Sequence, residues 1–164
     1  MSMIGNYLRV TPEQLEALKK DPESITDFLD AAQESAPDGY CLDIDSAWQG
    51  IHYLLTGDPL EGEFPLANAV LGGYALGEVD VGYGPARYLE PEDVAACAEA
   101  LSQLSEADVR SRFDPAAMMR AKIYPMIWDE GEDALIYLLE YYGELVPFFQ
   151  KASAAGDAIL EYLN

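Results

Sequence analysis

The chain has 164 residues, half of them apolar and 24% charged, which is typical of one globular domain that needs neither disulfides nor a metal for its stability. Its 30 acidic and 9 basic residues give a net charge of −21, which argues against binding to nucleic-acid phosphates or to an anionic membrane. The sequence shows neither a secretion signal nor an apolar run long enough for a membrane helix. We therefore expect a cytoplasmic protein in which Cys41 and Cys97 are reduced, buried thiols.

In chain order, the sequence predicts a strand, several helices, a central β region, further helices and a closing strand. Helix starts are marked by a capping residue with a proline or a polar partner close behind it, and strands by alternation or short apolar runs. The predicted strands cover residues 3–10, 79–83, 86–89 and 157–163. The predicted helices begin at Thr11, Asp21, Asp43, Pro91, Ser105, Asp114 and about residue 130. Residues 58–77 are predicted to form a loop with at most a short helix near 65–71.

The pattern predicts the α/β class. Strands separated by helices pack most simply as a sheet covered by helices, so we expect one domain over residues 1–164, a helix-rich three-layer sandwich. Its small mixed sheet would have helices on both faces. Pro147 lies inside the longest predicted helix, where it removes a backbone hydrogen bond and crowds residue 143, so a kink or a break is expected there.

The acidic residues are unevenly distributed along the chain. Thirteen of them, and no Lys or Arg, lie between Lys20 and Arg87. The simpler interpretation is solubility, because net negative charge keeps a protein dispersed. The alternative is electrostatic attraction to a basic protein partner, such as one whose nucleic-acid surface this chain would block.

The scarcity of histidine limits the possible chemistry. His52 is the only histidine, so any histidine base, triad or metal ligand would have to use it. It follows Trp48 on the apolar stripe of a helix, where a packed histidine bonded to a neighbour is the simpler interpretation. Zinc-ligand spacings, phosphate-binding loops and nucleophile elbows are absent, so the sequence predicts no cofactor. Asp43 and Asp45 are best explained as helix caps, with a carboxylate-only Mg²⁺ or Ca²⁺ site as the remaining metal alternative.

Two aromatic segments are further candidates for a ligand site. In the first, Tyr83 and Arg87 lie on either side of a turn at Gly84-Pro85, and the guanidinium suits a carboxylate or phosphate. The many nearby acids favour an internal ion pair of Arg87 instead. In the second, Tyr124 and Trp128 lie at a break between helices, which either lines a pocket or packs into the core, and core packing is the favoured interpretation.

Seven segments, spread in order over nearly the whole chain, carry a family resemblance. They are MIGNYLRV at 3–10, LDIDSAWQGIHYLLTG at 42–57, LGG at 71–73, GYGPARY at 82–88, DP at 114–115, IYPxxW at 123–128 and AGDA at 155–158. In these segments the sequence resembles the YfbM-like family of bacterial proteins of unknown function. The resemblance implies an α/β sandwich with helices on both sides of a sheet, and it supplies no catalytic residues.

Two functional hypotheses follow. The first is a non-catalytic protein-binding module, immunity-like, whose acidic surface meets a basic partner. The second is a small enzyme or small-molecule-binding protein with a pocket near His52 and Arg87. That pocket would gather the scarce residue types of the motif segments, namely Asp43, Asp45, Trp48, His52, Tyr83, Arg87, Tyr124 and Trp128. A symmetric homo-oligomer is a third, structural alternative.

Overall fold

Five strands form one sheet in the part of the chain that the computed structural model describes, residues 2–164. They are β1 (Gly5–Val10), β2 (Cys41–Asp43), β3 (Tyr74–Asp80), β4 (Pro85–Leu89) and β5 (Ala158–Leu163). The helices are α1 (Pro12–Lys20), α2 (Ile25–Ser35), α3 (Trp48–Thr56), α4 (Pro91–Ser102), α5 (Glu106–Ser111), α6 (Pro115–Arg120) and α7 (Glu132–Ala155). Short 3₁₀ turns cover Pro22–Ser24, Asp45–Ala47, Leu66–Asn68 and Trp128–Glu130.

The strand order is β2-β1-β5-β4-β3, with β5 at the centre. Every neighbouring pair is antiparallel, so the predicted mixed strand directions are wrong in this detail. The reason lies in the connections: the chain passes through two helices between β1 and β2, so it re-enters the sheet in the opposite direction, whereas a single crossover helix would have made the pair parallel.

The sheet lies between two helical layers, each with its own apolar core. Leu8 of β1 and Leu160 of β5 face α1 and α2. Tyr7 and Ile159, the next residues along the same two strands, face α3, α4 and α7. This alternation places successive side chains on opposite faces of each strand. The predicted α/β fold, a single domain with helices on both sides of a sheet, is confirmed.

Several helix boundaries follow the sequence signals closely. At the start of α1, the Thr11 hydroxyl accepts a hydrogen bond from the Gln14 backbone N–H at 3.1 Å, and the Gln14 side chain accepts one from the Thr11 N–H at 2.9 Å. Ser105 and Asp108 form the same reciprocal pair at α5. Gly156 ends α7 in the left-handed conformation that glycine adopts without steric cost. The predicted caps at Thr11, Ser105 and Asp114 are therefore confirmed, whereas the Asp21 side chain makes no capping hydrogen bond and the turn Asp45–Ala47 has no side-chain cap.

Other boundaries differ from the prediction. The predicted helix over 43–55 is preceded by the edge strand β2, which is too short to show alternation, and its α-helical part begins only at Trp48. β3 begins at Tyr74, before the predicted residue 79. The alternating pattern does not show this earlier part of the strand, because Gly77, with φ +68°, lies at a register shift that interrupts the alternation. Cys41 is exposed, so only one of the two free thiols is buried.

Pro147 does not break α7, which runs without interruption past it. The residue four positions before Pro147 is Gly143. The same helix meets α3 at a second glycine, Gly50. A Cβ atom built on Gly50 would lie 2.7 Å from both Leu138 of α7 and the buried Trp128 ring.

These two glycines give a matched test of the packing. We expect Gly50→Ala to lower the free energy of unfolding by about 1–3 kcal/mol, because the clash with two packed side chains outweighs the gain in helix propensity. Gly143→Ala, whose Cβ would meet nothing within 4 Å, should raise it by about 0.5–1 kcal/mol. Urea unfolding of both variants measures the two changes, and a stabilised Gly50→Ala would contradict the close approach of the helices.

Candidate functional site

The residues predicted to share a pocket are distributed over several places in the structure. Trp48 and His52 do share one cavity, of about 90 Å³, whose other walls are Pro59, Leu60, Val70 and Leu71. Tyr83 is exposed at the turn between β3 and β4. Trp128 is fully buried and donates a 2.7 Å hydrogen bond to the Ile123 carbonyl, so it packs in the core.

Trp48 and Tyr124 form an anchor for the beginning of the described chain. Their rings stack at a centroid distance of 5.8 Å. The Trp48 indole N–H donates to the Met3 carbonyl at 3.0 Å, and the Met3 N–H donates to the Tyr124 hydroxyl at 2.9 Å. The Ser46 hydroxyl lies 3.5 Å from the same phenol, and this contact is the main cause that lowers the pKa of Tyr124. Both aromatic residues thus satisfy backbone groups.

Asp43 and Asp45 also have structural partners. The Asp43 carboxylate accepts a 2.7 Å hydrogen bond from the Asp45 N–H, and the Asp45 carboxylate accepts one from the Tyr137 hydroxyl at 3.0 Å. Burial and then this carboxylate raise the pKa of Tyr137. Over residues 2–164, no three His, Cys, Asp or Glu side chains are grouped as a metal ion requires.

His52 is buried, with Nε2 3.0 Å from the Glu61 carbonyl oxygen. Burial lowers the pKa of His52 below its usual value, and the bond to that carbonyl opposes the shift only in part. The ring is therefore neutral at pH 7. It holds residues 58–63 against α3, as expected of a packed histidine bonded to a neighbour.

Arg87 makes a different contact from the predicted ion pair. Its Nε donates to the Gly72 carbonyl at 3.1 Å, and its Nη2 donates to the Gly73 carbonyl. None of the ion pairs found within residues 2–164 includes it. Gly73 lies very close to β4, since a Cβ atom on it would be 2.1 Å from the Tyr88 carbonyl oxygen. This close approach brings the carbonyls of Gly72 and Gly73 within reach of the guanidinium.

The functional candidate that sequence reasoning missed is Glu161. It lies in β5 with 1% of its surface exposed, opposite Tyr7 of β1 and Arg87 of β4. Neither of its carboxyl oxygens has a hydrogen-bond partner. Burial raises the pKa of Glu161 well above its usual value, while the nearby N–H groups of Leu71 and Gly72 and the Arg87 charge lower it less. The available signal was a single acid inside an otherwise apolar strand, AILEYL.

A mainly apolar hollow of about 350 Å³ lies elsewhere, between β1, α1 and α2. Its buried cation, Arg9, is already paired: Nε donates to the Asp157 carboxylate at 3.0 Å, and the guanidinium stacks over Tyr40 at 4.1 Å. Arg9 therefore joins the first strand to the residue before the last strand, which is a structural role.

The acids of the base-free stretch lie on the surface. Of the thirteen, all but the half-buried Asp45 are exposed, and none takes part in an ion pair found within residues 2–164. Five of them line two hollows: one of about 530 Å³ between β3 and the segment that leads into α2, and one of about 160 Å³ between α2 and the ends of β3 and β5. We call these five the acidic seam: Asp21, Glu23, Asp30, Glu78 and Asp80.

Comparisons with known proteins agree with this architecture. A family model described as "Domain of unknown function (DUF1877)" matches residues 1–162. Protein YfbM of Escherichia coli (strain K12) is 28% identical over 129 residues, which are 76% of this chain and 74% of YfbM. The crystal structure of YfbM, a protein of unknown function, has the same fold, with a TM-score of 0.77, 22% identity, and coverage of 98% of this chain and 99% of that one.

Within residues 2–164, every helix is too short or too polar to span a bilayer.

The buried carboxyl predicts a specific pH dependence. Below about pH 4.5, the usual pKa of a glutamate, Glu161 is protonated in both the folded and unfolded states. Above it, the unfolded chain loses the proton before the folded protein does, so the free energy of unfolding falls by about 1.4 kcal/mol per pH unit until the pH reaches the raised pKa of the folded state. Glu161→Gln cannot ionise and should lack this fall. Urea unfolding between pH 4.5 and 7.5 measures the difference between the two proteins.

Exposed Glu63 supplies the control. Glu63→Gln removes one carboxyl without removing a buried one, so its pH profile should run parallel to that of the unmodified protein. Parallel profiles for Glu161→Gln and the unmodified protein would show that Glu161 ionises freely in the fold.

Proposed function

Because the chain belongs to the DUF1877 family of unknown function, we propose a function from its own surface: it is a non-catalytic, immunity-like module that binds a basic protein partner. Membership in this family also bears out the resemblance to YfbM-like proteins. In the proposed role, the module acts in the cytoplasm, and its carboxylates cover Lys and Arg side chains with which the partner would contact nucleic acid.

The acidic seam is the observation that carries this proposal. Its five carboxylates are exposed and come from three successive parts of the fold: the turn after α1, α2 and β3. They line two hollows, three carboxylates in one and two in the other, and in such clefts charges of one sign reinforce each other and concentrate oppositely charged groups. Since no described Lys or Arg pairs with them, their negative charge is available to a partner.

The seam is also partly rigid. The Asp80 carboxylate accepts hydrogen bonds from the backbone N–H groups of Gly82 at 2.8 Å and of Gly84 at 3.0 Å. These bonds, the one from Gly82 first, lower the pKa of Asp80 below its usual value, so this carboxylate is ionised throughout the neutral range. A carboxylate held in place loses less side-chain freedom when a partner's cation binds it.

Small-molecule binding is the second candidate function, and the cavity shared by Trp48 and His52 supports it. Histidine catalysis there has less support. The hydrogen bond of the His52 ring goes to a backbone carbonyl, where a nucleophilic mechanism would need a hydroxyl or thiol, and the neutral ring has no carboxylate partner.

Three substitutions in the seam test the first proposal. We expect Glu23→Gln, Asp30→Asn and Glu78→Gln together to weaken capture of a basic protein from bacterial lysate by about tenfold or more, because they remove charges that face the partner. Capture by the unmodified protein should itself fall by about tenfold between 50 and 500 mM NaCl, as added salt screens exposed charges. Immobilised protein and quantitative mass spectrometry of the bound fraction give both values.

The matched control carries the same change in net charge on the other side of the fold. Its substitutions are at exposed positions of α4 and α7: Glu99→Gln, Glu140→Gln and Glu144→Gln. Capture should be unchanged in this triple variant. Equal losses in both triple variants would mean that net charge alone attracts the partner, and salt-independent capture would contradict an electrostatic interface.

A further inference from the structure

The Glu161 carboxyl has no hydrogen-bond partner of good geometry within residues 2–164, although the N–H groups of Leu71 and Gly72 lie near it. A buried carboxyl without a hydrogen-bond partner costs free energy that an apolar side chain would not. Its two cross-strand neighbours donate their hydrogen bonds to other groups. The Tyr7 hydroxyl donates to the Ala69 carbonyl at 2.6 Å, and Arg87 donates to the carbonyls of Gly72 and Gly73.

Both neighbours therefore hold the segment 69–73 over Glu161. A narrow crevice remains beneath this segment, bordered by Glu161, Tyr7, Trp48, Val70 and Leu71, and no water-sized sphere fits inside it. The same Trp48, Val70 and Leu71 form walls of the 90 Å³ cavity beside His52. Trp48, Val70 and Leu71 thus separate the buried carboxyl from a cavity with more room.

From this geometry we propose that Glu161 is the anchor of a binding site for a small organic ammonium ion, which is closed by Leu71 in the structure described here. When the site opens, the ammonium group contacts the Glu161 carboxylate, and the apolar tail of the ligand occupies the cavity beside His52. This inference develops the second candidate function and is independent of the acidic seam.

The surroundings of Glu161 favour a cation over an anion. Arg87 is the nearest cation, and two of its N–H groups are already bonded to the carbonyls of Gly72 and Gly73. His52 is neutral and bonded to Glu61, so it offers no charge to an anionic ligand. The crevice wall includes the rings of Tyr7 and Trp48, and aromatic rings beside a carboxylate are a common environment for organic ammonium groups. The net charge of −21 attracts cations from a distance.

Binding has a distinctive proton balance. The groups that face Glu161 are Tyr7 from β1, Arg87 from β4 and the Cys97 thiol from α4, and burial raises the pKa of Cys97 to about 12. Tyr7 and Cys97 therefore keep their protons at pH 7. Glu161 is neutral in the closed site and must ionise to pair with an ammonium group, so each ammonium ion bound releases one proton to the buffer.

The test uses the full chain with n-butylammonium chloride, and n-butanol as the uncharged probe of similar shape. We expect saturable shifts of the Leu71, Gly72 and Gly73 amide signals in NMR spectra with the ammonium salt at constant ionic strength, and none with the alcohol. Glu161→Gln should weaken ammonium binding about tenfold or more, whereas the surface variant Glu63→Gln should bind normally.

Calorimetry of the unmodified protein in two buffers of different ionisation enthalpy gives a measurement that does not depend on how the variant folds. Release of about one proton per ammonium ion supports the proposal. Binding without proton release, equal binding of the alcohol, unchanged affinity in Glu161→Gln, or no saturable shift would each overturn it. Because the seam variants retain Glu161, failure of this test leaves the seam experiment unaffected.

Discussion

The insertion of β5 between β1 and β4 is the constraint on which the rest of the structure depends. β1 and β2 form one pair, β3 and β4 form another, and β5 is the strand that hydrogen-bonds to both. Its alternating side chains also enter both cores, with Ile159 in one and Leu160 in the other. The six residues of β5 thus connect the two strand pairs and contribute to both cores. Because they are distant in sequence from β1 and β4, the fold is rich in long-range pairing.

The same strand determines where the chemistry lies. Its register places Glu161 between Tyr7 and Arg87, and those two side chains fasten a glycine-rich segment above it. The molecule therefore uses acids in two opposite ways. On the surface, carboxylates remain hydrated and charged, which costs little and acts at a distance. In the centre of the sheet, the carboxyl of Glu161 is removed from water. Such burial costs free energy, so solubility does not explain an acid at this position.

Sequence patterns were sufficient for features that depend on a few neighbouring residues. The capping box of Thr11 and Gln14 and the end of α7 at Gly156 could be predicted because their hydrogen bonds are local. The candidate pocket could not be predicted as well from the sequence. The scarcity of Trp and His attracted attention to Trp48 and His52, but their partners, Met3 and Glu61, are backbone groups that any residue supplies. Glu161 was missed because its significance depends on its burial between two strands that are distant in sequence, and the amino-acid sequence alone does not show that burial.

The position of β3 at the edge of the sheet has a consequence for self-association. An open edge strand presents unpaired backbone groups that a second copy of the same strand can extend, which is a route to fibrils. Here that edge carries the exposed carboxylates of Glu78 and Asp80, so two copies meeting edge to edge would bring like charges together. The repulsion that keeps such copies apart weakens as salt is added, and concentrated salt is therefore the condition under which fibril-like pairing of this strand becomes easiest.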